Sequence, residues 1–176
     1  SPGILSYADP GEYWITGDTR MSGGFPFGDR VYVVDENCQD YGDSGDEVAD
    51  RMHVIVTSQS FHMEISWEGW NEPPNGSSSW DTCTAEACSP SMVLYPGVEL
   101  SGSYYCGLST DDLGRVMLNG ALGCDYAQDS LSQDLAVDLG CRIAGAYYLV
   151  IDGEETASGE GYYHIKLTLS DAGCTP

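Results

Sequence analysis

Residues 35–50 carry seven carboxylates and no basic side chain: Asp35, Glu36, Asp40, Asp43, Asp46, Glu47 and Asp50. Within this run Asp40, Asp43 and Asp46 stand three apart on a Gly-rich loop, which can wrap a cation with hard oxygen ligands, and the ion such ligands suit is calcium. The spacing is not that of an EF-hand, which needs ligands at alternate positions and a glutamate at the twelfth. A second carboxylate group, Asp111, Asp112, Asp125 and Asp129, is the other candidate calcium set. The competing explanation of both is a solvated acidic loop.

Nucleophilic catalysis finds little support. Gly42-Asp43-Ser44-Gly45 resembles the nucleophile loop of trypsin-like proteases, but no histidine precedes the serine and Asp46 replaces the small residue that follows. A serine needs a base within hydrogen-bond reach. The three histidines, His53, His62 and His164, all fall in strand patterns and show no metal-protease spacing, so packing or surface exposure is expected of them. No pair among the 28 acids is singled out for glycoside hydrolysis, and no catalytic residue is assigned.

Trp67, Trp70 and Trp80, with Pro73 and Pro74, could stack on sugar rings; the alternative is that they pack beneath a long excursion. Trp70 and Trp80 are the glycan-stacking candidates. Asn75-Gly76-Ser77 is an N-glycosylation sequon, which makes Asn75 a candidate modification site.

Over the whole chain, 28 acidic against 6 basic residues give a formal net charge of −22. That surface repels nucleic acid and anionic membranes, so neither is an expected partner. A hydrophobic content of 41% with 12 tyrosines argues for a packed core rather than a disordered acidic chain. The seven cysteines lack any CxxC pair, which points to disulfides in a secreted protein rather than to zinc. Cys83 and Cys88 enclose a short loop and form the easiest local pair; the odd cysteine is left free or bonds another molecule. No apolar run approaches the ~18 residues of a membrane helix, and a processed, exported, extracellular or cell-surface protein is the expectation.

The elements that must position these groups are strands. Tyr163, Ile165, Leu167 and Leu169 alternate with His164, Lys166 and Thr168, the pattern of a strand with one wet face. Residues 147–151 are apolar on both faces and should be covered on both sides. These two strands read as a closing hairpin. Residues 52–57 and 61–67 read as a second hairpin about a Ser-Gln-Ser turn. Residues 13–16, 30–34, 91–95, 103–106, 115–118 and 134–139 are further strands, with Gly17-Asp18 as a turn. No segment sustains a helical period. The fold class expected is all-β: an antiparallel β-sandwich, jelly-roll-like, stabilised by disulfides, with little or no helix. Residues 1–12 form an N-terminal arm, and 13–176 one sandwich domain with an insertion at 68–91.

Over residues 48–170 the order of these motifs resembles the bacterial pre-peptidase C-terminal domain, a β-sandwich module of secreted proteins. The residues that carry the likeness are Val93-Leu94-Tyr95, the acidic cysteine loop 123–129, Leu135–Leu139, and the Tyr-Tyr and Gly-Tyr-Tyr strands at 147–151 and 161–169. The resemblance implies an accessory module that binds carbohydrate or calcium.

Two functional expectations follow. In the first, the protein is non-enzymatic and structural: Ile4, Leu5 and Tyr7 of the arm add as a strand to a neighbour's open sheet edge, and copies polymerise head-to-tail into a filament. The alternative is the accessory module, with an extracellular glycan or calcium as its partner.

Overall fold

The computed structural model describes residues 4–18, 31–33, 51–69, 91–97, 116–118, 120–126, 136–152, 162–171 and 173–174. All regular structure among them is strand. In chain order the elements are β1 (Ile4–Tyr7), β2 (Gly11–Asp18), β3 (Val31–Val33), β4 (Arg51–Thr57), β5 (Phe61–Gly69), β6 (Ser91–Pro96), β7 (Val116–Leu118), β8 (Gly123–Tyr126), β9 (Ala136–Arg142), β10 (Gly145–Asp152) and β11 (Tyr162–Ser170).

Two sheets make the sandwich. One runs β1-β4-β10-β6-β8 and the other β2-β11-β5-β9; β3 and β7 form a separate parallel pair. Every pairing within the two main sheets is antiparallel except β1 against β4. The expected all-β sandwich is therefore the observed fold, and a disulfide between Cys141 and Cys174 ties the end of β9 to the chain beyond β11.

The alternation rule places the core. From the four-stranded sheet, Phe61, Met63, Ile65 and Trp67 of β5 and Tyr163, Ile165, Leu167 and Leu169 of β11 point inward. They meet Ile55, Met92, Leu94, Tyr147, Leu149 and Ile151 of the other sheet. Between the core residues of β11 lie half-exposed His164, Lys166, Thr168 and Ser170, as the sequence pattern requires. The five-stranded sheet differs in kind. Its second face, made by Met52, Val54, Val93, Tyr95, Tyr148 and Val150, is buried as well. The expectation that 147–151 is covered on both sides holds for all five residues.

Both expected hairpins are corrected. β10 and β11 lie in opposite sheets and do not pair, and the same is true of β4 and β5. Each pair of consecutive strands is divided between the two layers. The physical reason is burial: both partners of such a pair carry an inward apolar row, and facing the rows across the core removes more apolar surface from water than placing them side by side. Gly17-Asp18 is likewise not a turn, because β2 continues through Asp18. Of the acidic loop 123–129, residues 123–126 are strand β8.

Gly17 has a specific reason to lie inside a strand. It sits opposite Tyr163, and a Cβ at this position would overlap the Tyr163 phenol. Lacking one, it leaves room for the far end of the ring, whose hydroxyl is hydrogen-bonded to Nε2 of His53 in the other sheet. The rings of Trp67 and Tyr163 stack at 6.0 Å on the same level. His53 is a buried histidine in an apolar layer, only 7% exposed. Burial first, and the nearby Arg51 charge second, push its imidazole down to about 4.

Two predictions follow from this layer. Adding a methyl by Gly17→Ala displaces the Tyr163 ring and lowers stability by about 1–3 kcal/mol, a typical overpacking cost; urea unfolding measures it, and an unchanged midpoint would refute the packing role. The second concerns pH. The unfolded His53 takes up a proton near 6.5 and the folded one only near 4. Unfolded chains therefore bind more protons in that window, and this contribution to stability is complete above 6.5 and lost as pH falls to 4. Wild type should lose about 3 kcal/mol more than His53→Asn between pH 7 and pH 4. Parallel pH profiles of the two proteins would dispose of this.

Candidate functional site

The outward face of the four-stranded sheet is where side chains of chemical interest converge. Alternation puts Glu12, Trp14 and Thr16 of β2 on it, with His164, Lys166 and Thr168 of β11, His62, Glu64 and Ser66 of β5, and Asp138 of β9. The registers stack these residues into rows across the sheet. Glu12 faces Thr168, Thr168 faces Glu64, and Glu64 faces Asp138.

At the β5–β9 end of this row, His62, Glu64 and Asp138 bring one donor atom each within 4.8 Å of one another. His62 Nε2 lies 2.8 Å from Asp138 Oδ1 and 3.5 Å from Glu64 Oε1. Two of the three residues are two apart on one strand and share a face for that reason alone. The third arrives by an irregularity. His62 pairs with Cys141 and Glu64 with Asp138, so two residues of β9, Leu139 and Gly140, stand opposite Met63 alone. This is a β-bulge, and Gly140 within it has φ +62°, the left-handed conformation glycine adopts without a Cβ penalty. The Gly140 N–H donates to Asp138 Oδ1 at 2.9 Å. That backbone hydrogen bond, more than His62, holds the Asp138 carboxyl below the usual carboxylate range. The bulge thus aims Asp138 back along the sheet toward His62. An imidazole nitrogen and two carboxylates on rigid strands are a set that could hold a metal ion.

At the other end of the same face Trp14 is 54% exposed, with its ring 5.3 Å from that of His164 and tilted by 34°. Lys166 Nζ lies 3.9 Å from Glu12 Oε1. An exposed indole beside polar side chains on a sheet face suits a ligand with both an apolar face and hydroxyls.

The residues expected from sequence fall elsewhere. Asp40, Asp43, Asp46, Asp111, Asp112 and Asp129 lie outside the described residues, as do Cys83, Cys88, Trp70, Asn75 and Trp80. Asp125 is described: its Oδ2 accepts a hydrogen bond from the Ala136 N–H at 3.0 Å, joining β8 to β9 across the flank of the sandwich. Gly123 on the same strand approaches β9 so closely that a Cβ would meet Val137 and Leu139 at 2.7 and 2.8 Å. Trp67 is buried against Tyr163 and offers no face to a sugar. Besides the Cys141–Cys174 bridge, Cys124 is also disulfide-bonded. Ile4, Leu5 and Tyr7 form β1, paired in parallel with the chain's own β4 from Ile4 opposite Val54 to Tyr7 opposite Thr57.

Sequence reasoning missed Trp14, Glu64 and Asp138 as site residues, and it read His62 as packing or surface. The polar alternation of β5 could have flagged His62 with Glu64. No local signal joins Asp138 to them, because the register and the bulge bring it there. Among the described residues no helix is long and apolar enough to cross a membrane. No family model, curated protein or solved structure matches the chain.

Proposed function

We propose that this chain is a non-enzymatic structural subunit of an extracellular or cell-surface filament, assembled by transfer of its N-terminal strand to the β4 edge of a neighbour. The observation that carries this reading is the manner in which β1 is held. It is a four-residue edge strand, the one parallel member of its sheet. Only Leu5 and Tyr7 turn toward the core, while Ile4 is 50% exposed and Ser6 is exposed. Residues 8–10 alone join it to β2 in the opposite sheet. A strand that buries so little and is tethered by so short a link exchanges between identical copies at low cost, since the same contacts form in cis or in trans. The β4 edge left behind would present unpaired N–H and C=O groups to an incoming strand. Transfer from each copy to the next is heterologous, and a heterologous contact that does not close yields a fibre. The Cys141–Cys174 disulfide fits export to an oxidising compartment.

A specific observation favours a second reading, a secreted binding module of the pre-peptidase C-terminal kind: exposed Trp14 beside His164 on the outward sheet face. A glycan stacked on that indole would make this face its binding surface.

The filament reading is tested by concentrating the full chain, annealing it below its melting temperature, and examining it by light scattering and negative-stain microscopy. Polymers are expected from the full chain and not from a variant lacking residues 1–9; a synthetic peptide of residues 1–9 should bind that variant and block its aggregation. A full chain that stays monomeric after annealing would defeat the proposal. For the second reading, glycan-array binding that disappears in Trp14→Ala is the expected result, and binding indifferent to that change would exclude this face.

A further inference from the structure

We infer that His62, Glu64 and Asp138 form a binding site for a divalent first-row transition ion, with Zn²⁺ as the type case, on the outward face of the four-stranded sheet. The inference goes beyond the filament reading and does not depend on it.

Glu64 and Asp138 are direct cross-strand partners. Like charges placed opposite each other on a sheet are destabilising. Here the chain also carries a formal net charge of −22, so the field of the molecule as a whole adds to the repulsion. Neither carboxylate has a lysine or arginine partner among the ion pairs of the described residues; Lys166 is paired with Glu12. What stands between them is one imidazole. A divalent cation held by both carboxylates would cancel their charge, and His62 would supply the third ligand.

The geometry fits such an ion. Zinc binds histidine nitrogen and carboxylate oxygen at about 2.0–2.2 Å, and tetrahedral ligands at that distance lie about 3.4 Å apart. The 3.5 Å between His62 Nε2 and Glu64 Oε1 is already that spacing. The 2.8 Å to Asp138 Oδ1 is a hydrogen-bond length, and it widens when an ion replaces the proton between the two atoms. Asp138 is exposed and anchored by the Gly140 N–H, a support of the sort that orients metal ligands. Exposure leaves the remaining positions to water.

The donor set selects the ion class. Calcium takes six to eight hard oxygens, and three side chains with one nitrogen do not make that shell. Imidazole with carboxylate suits zinc, nickel, cobalt and copper. The calcium expected from the acidic loops is therefore a different ion at a different place.

The test is zinc titration of the full chain by calorimetry, with free thiols alkylated and excess calcium present to occupy oxygen-only sites. One zinc should bind, and His62→Ala and Asp138→Asn should each weaken it at least tenfold. Without metal, Asp138→Asn should still unfold cooperatively from a native strand spectrum by circular dichroism; this shows that lost binding is not lost folding. Zinc binding that is absent from wild type, equal in the variants, or abolished by calcium would overturn the assignment. Filament formation unchanged by zinc or by His62→Ala would leave this site standing, since its readout is the ion alone.

Discussion

The fold depends on β10 being covered on both faces. Leu149 and Ile151 look into the sandwich, and Tyr148 and Val150 look the other way, all at most 2% exposed. A strand of this composition has no face to give to water, so it must lie in the middle of a sheet with a layer on either side. β4 and β6 take its two edges, and β11 is excluded from them. The opposite sheet is then free to keep one wet face. Among the described residues, the exposed groups of the candidate site, from Trp14 to Asp138, lie on that face.

Most strands were legible in the residues, although β8 reads as a loop; strand partnership was not legible. Tyr163 to Leu169 alternate so regularly that the strand and its inward row can be read directly. The same row is compatible with a hairpin or an arch, because alternation records which way side chains point and says nothing about which sheet the strand joins. Residues 58–60 illustrate the difficulty. A connection so short suggests a hairpin, yet it bridges the two layers, with Gln59 donating to the Ala8 carbonyl at 3.1 Å to hold the corner. Gly17 misled for a related reason. Glycine before aspartate reads as a turn, while the actual requirement is space for a tyrosine ring donated by a strand nearly 150 positions later.

The candidate site divides in the same way. His62 and Glu64 share a face by a rule that needs only the sequence. Asp138 joins them through a long-range register and a bulge built on Gly140, and neither can be derived from local pattern. The abundance of acid worked against recognition as well. Among 28 carboxylates, the clustered ones in loops attract notice, whereas a facing pair on two strands does not. Burial of Trp67 and exposure of Trp14 make the same point for the tryptophans, since only the inward or outward parity of each strand position separates them.

The Cys141–Cys174 bridge also decides how the molecule would carry a pull. Tension applied beyond Cys174 does not travel back through β11 and β10. It crosses the two sulfurs and enters the chain at the end of β9. Residues 142–173 then form a closed covalent ring that cannot be drawn out, and the central strand of the sandwich is inside it. At the opposite end no disulfide protects β1, which is kept in place by hydrogen bonds to β4 and by the packing of Leu5 and Tyr7 against the core. Under load the molecule is thus asymmetric: one end yields by peeling a short strand, while the other is fastened to the sheet that bears the exposed face.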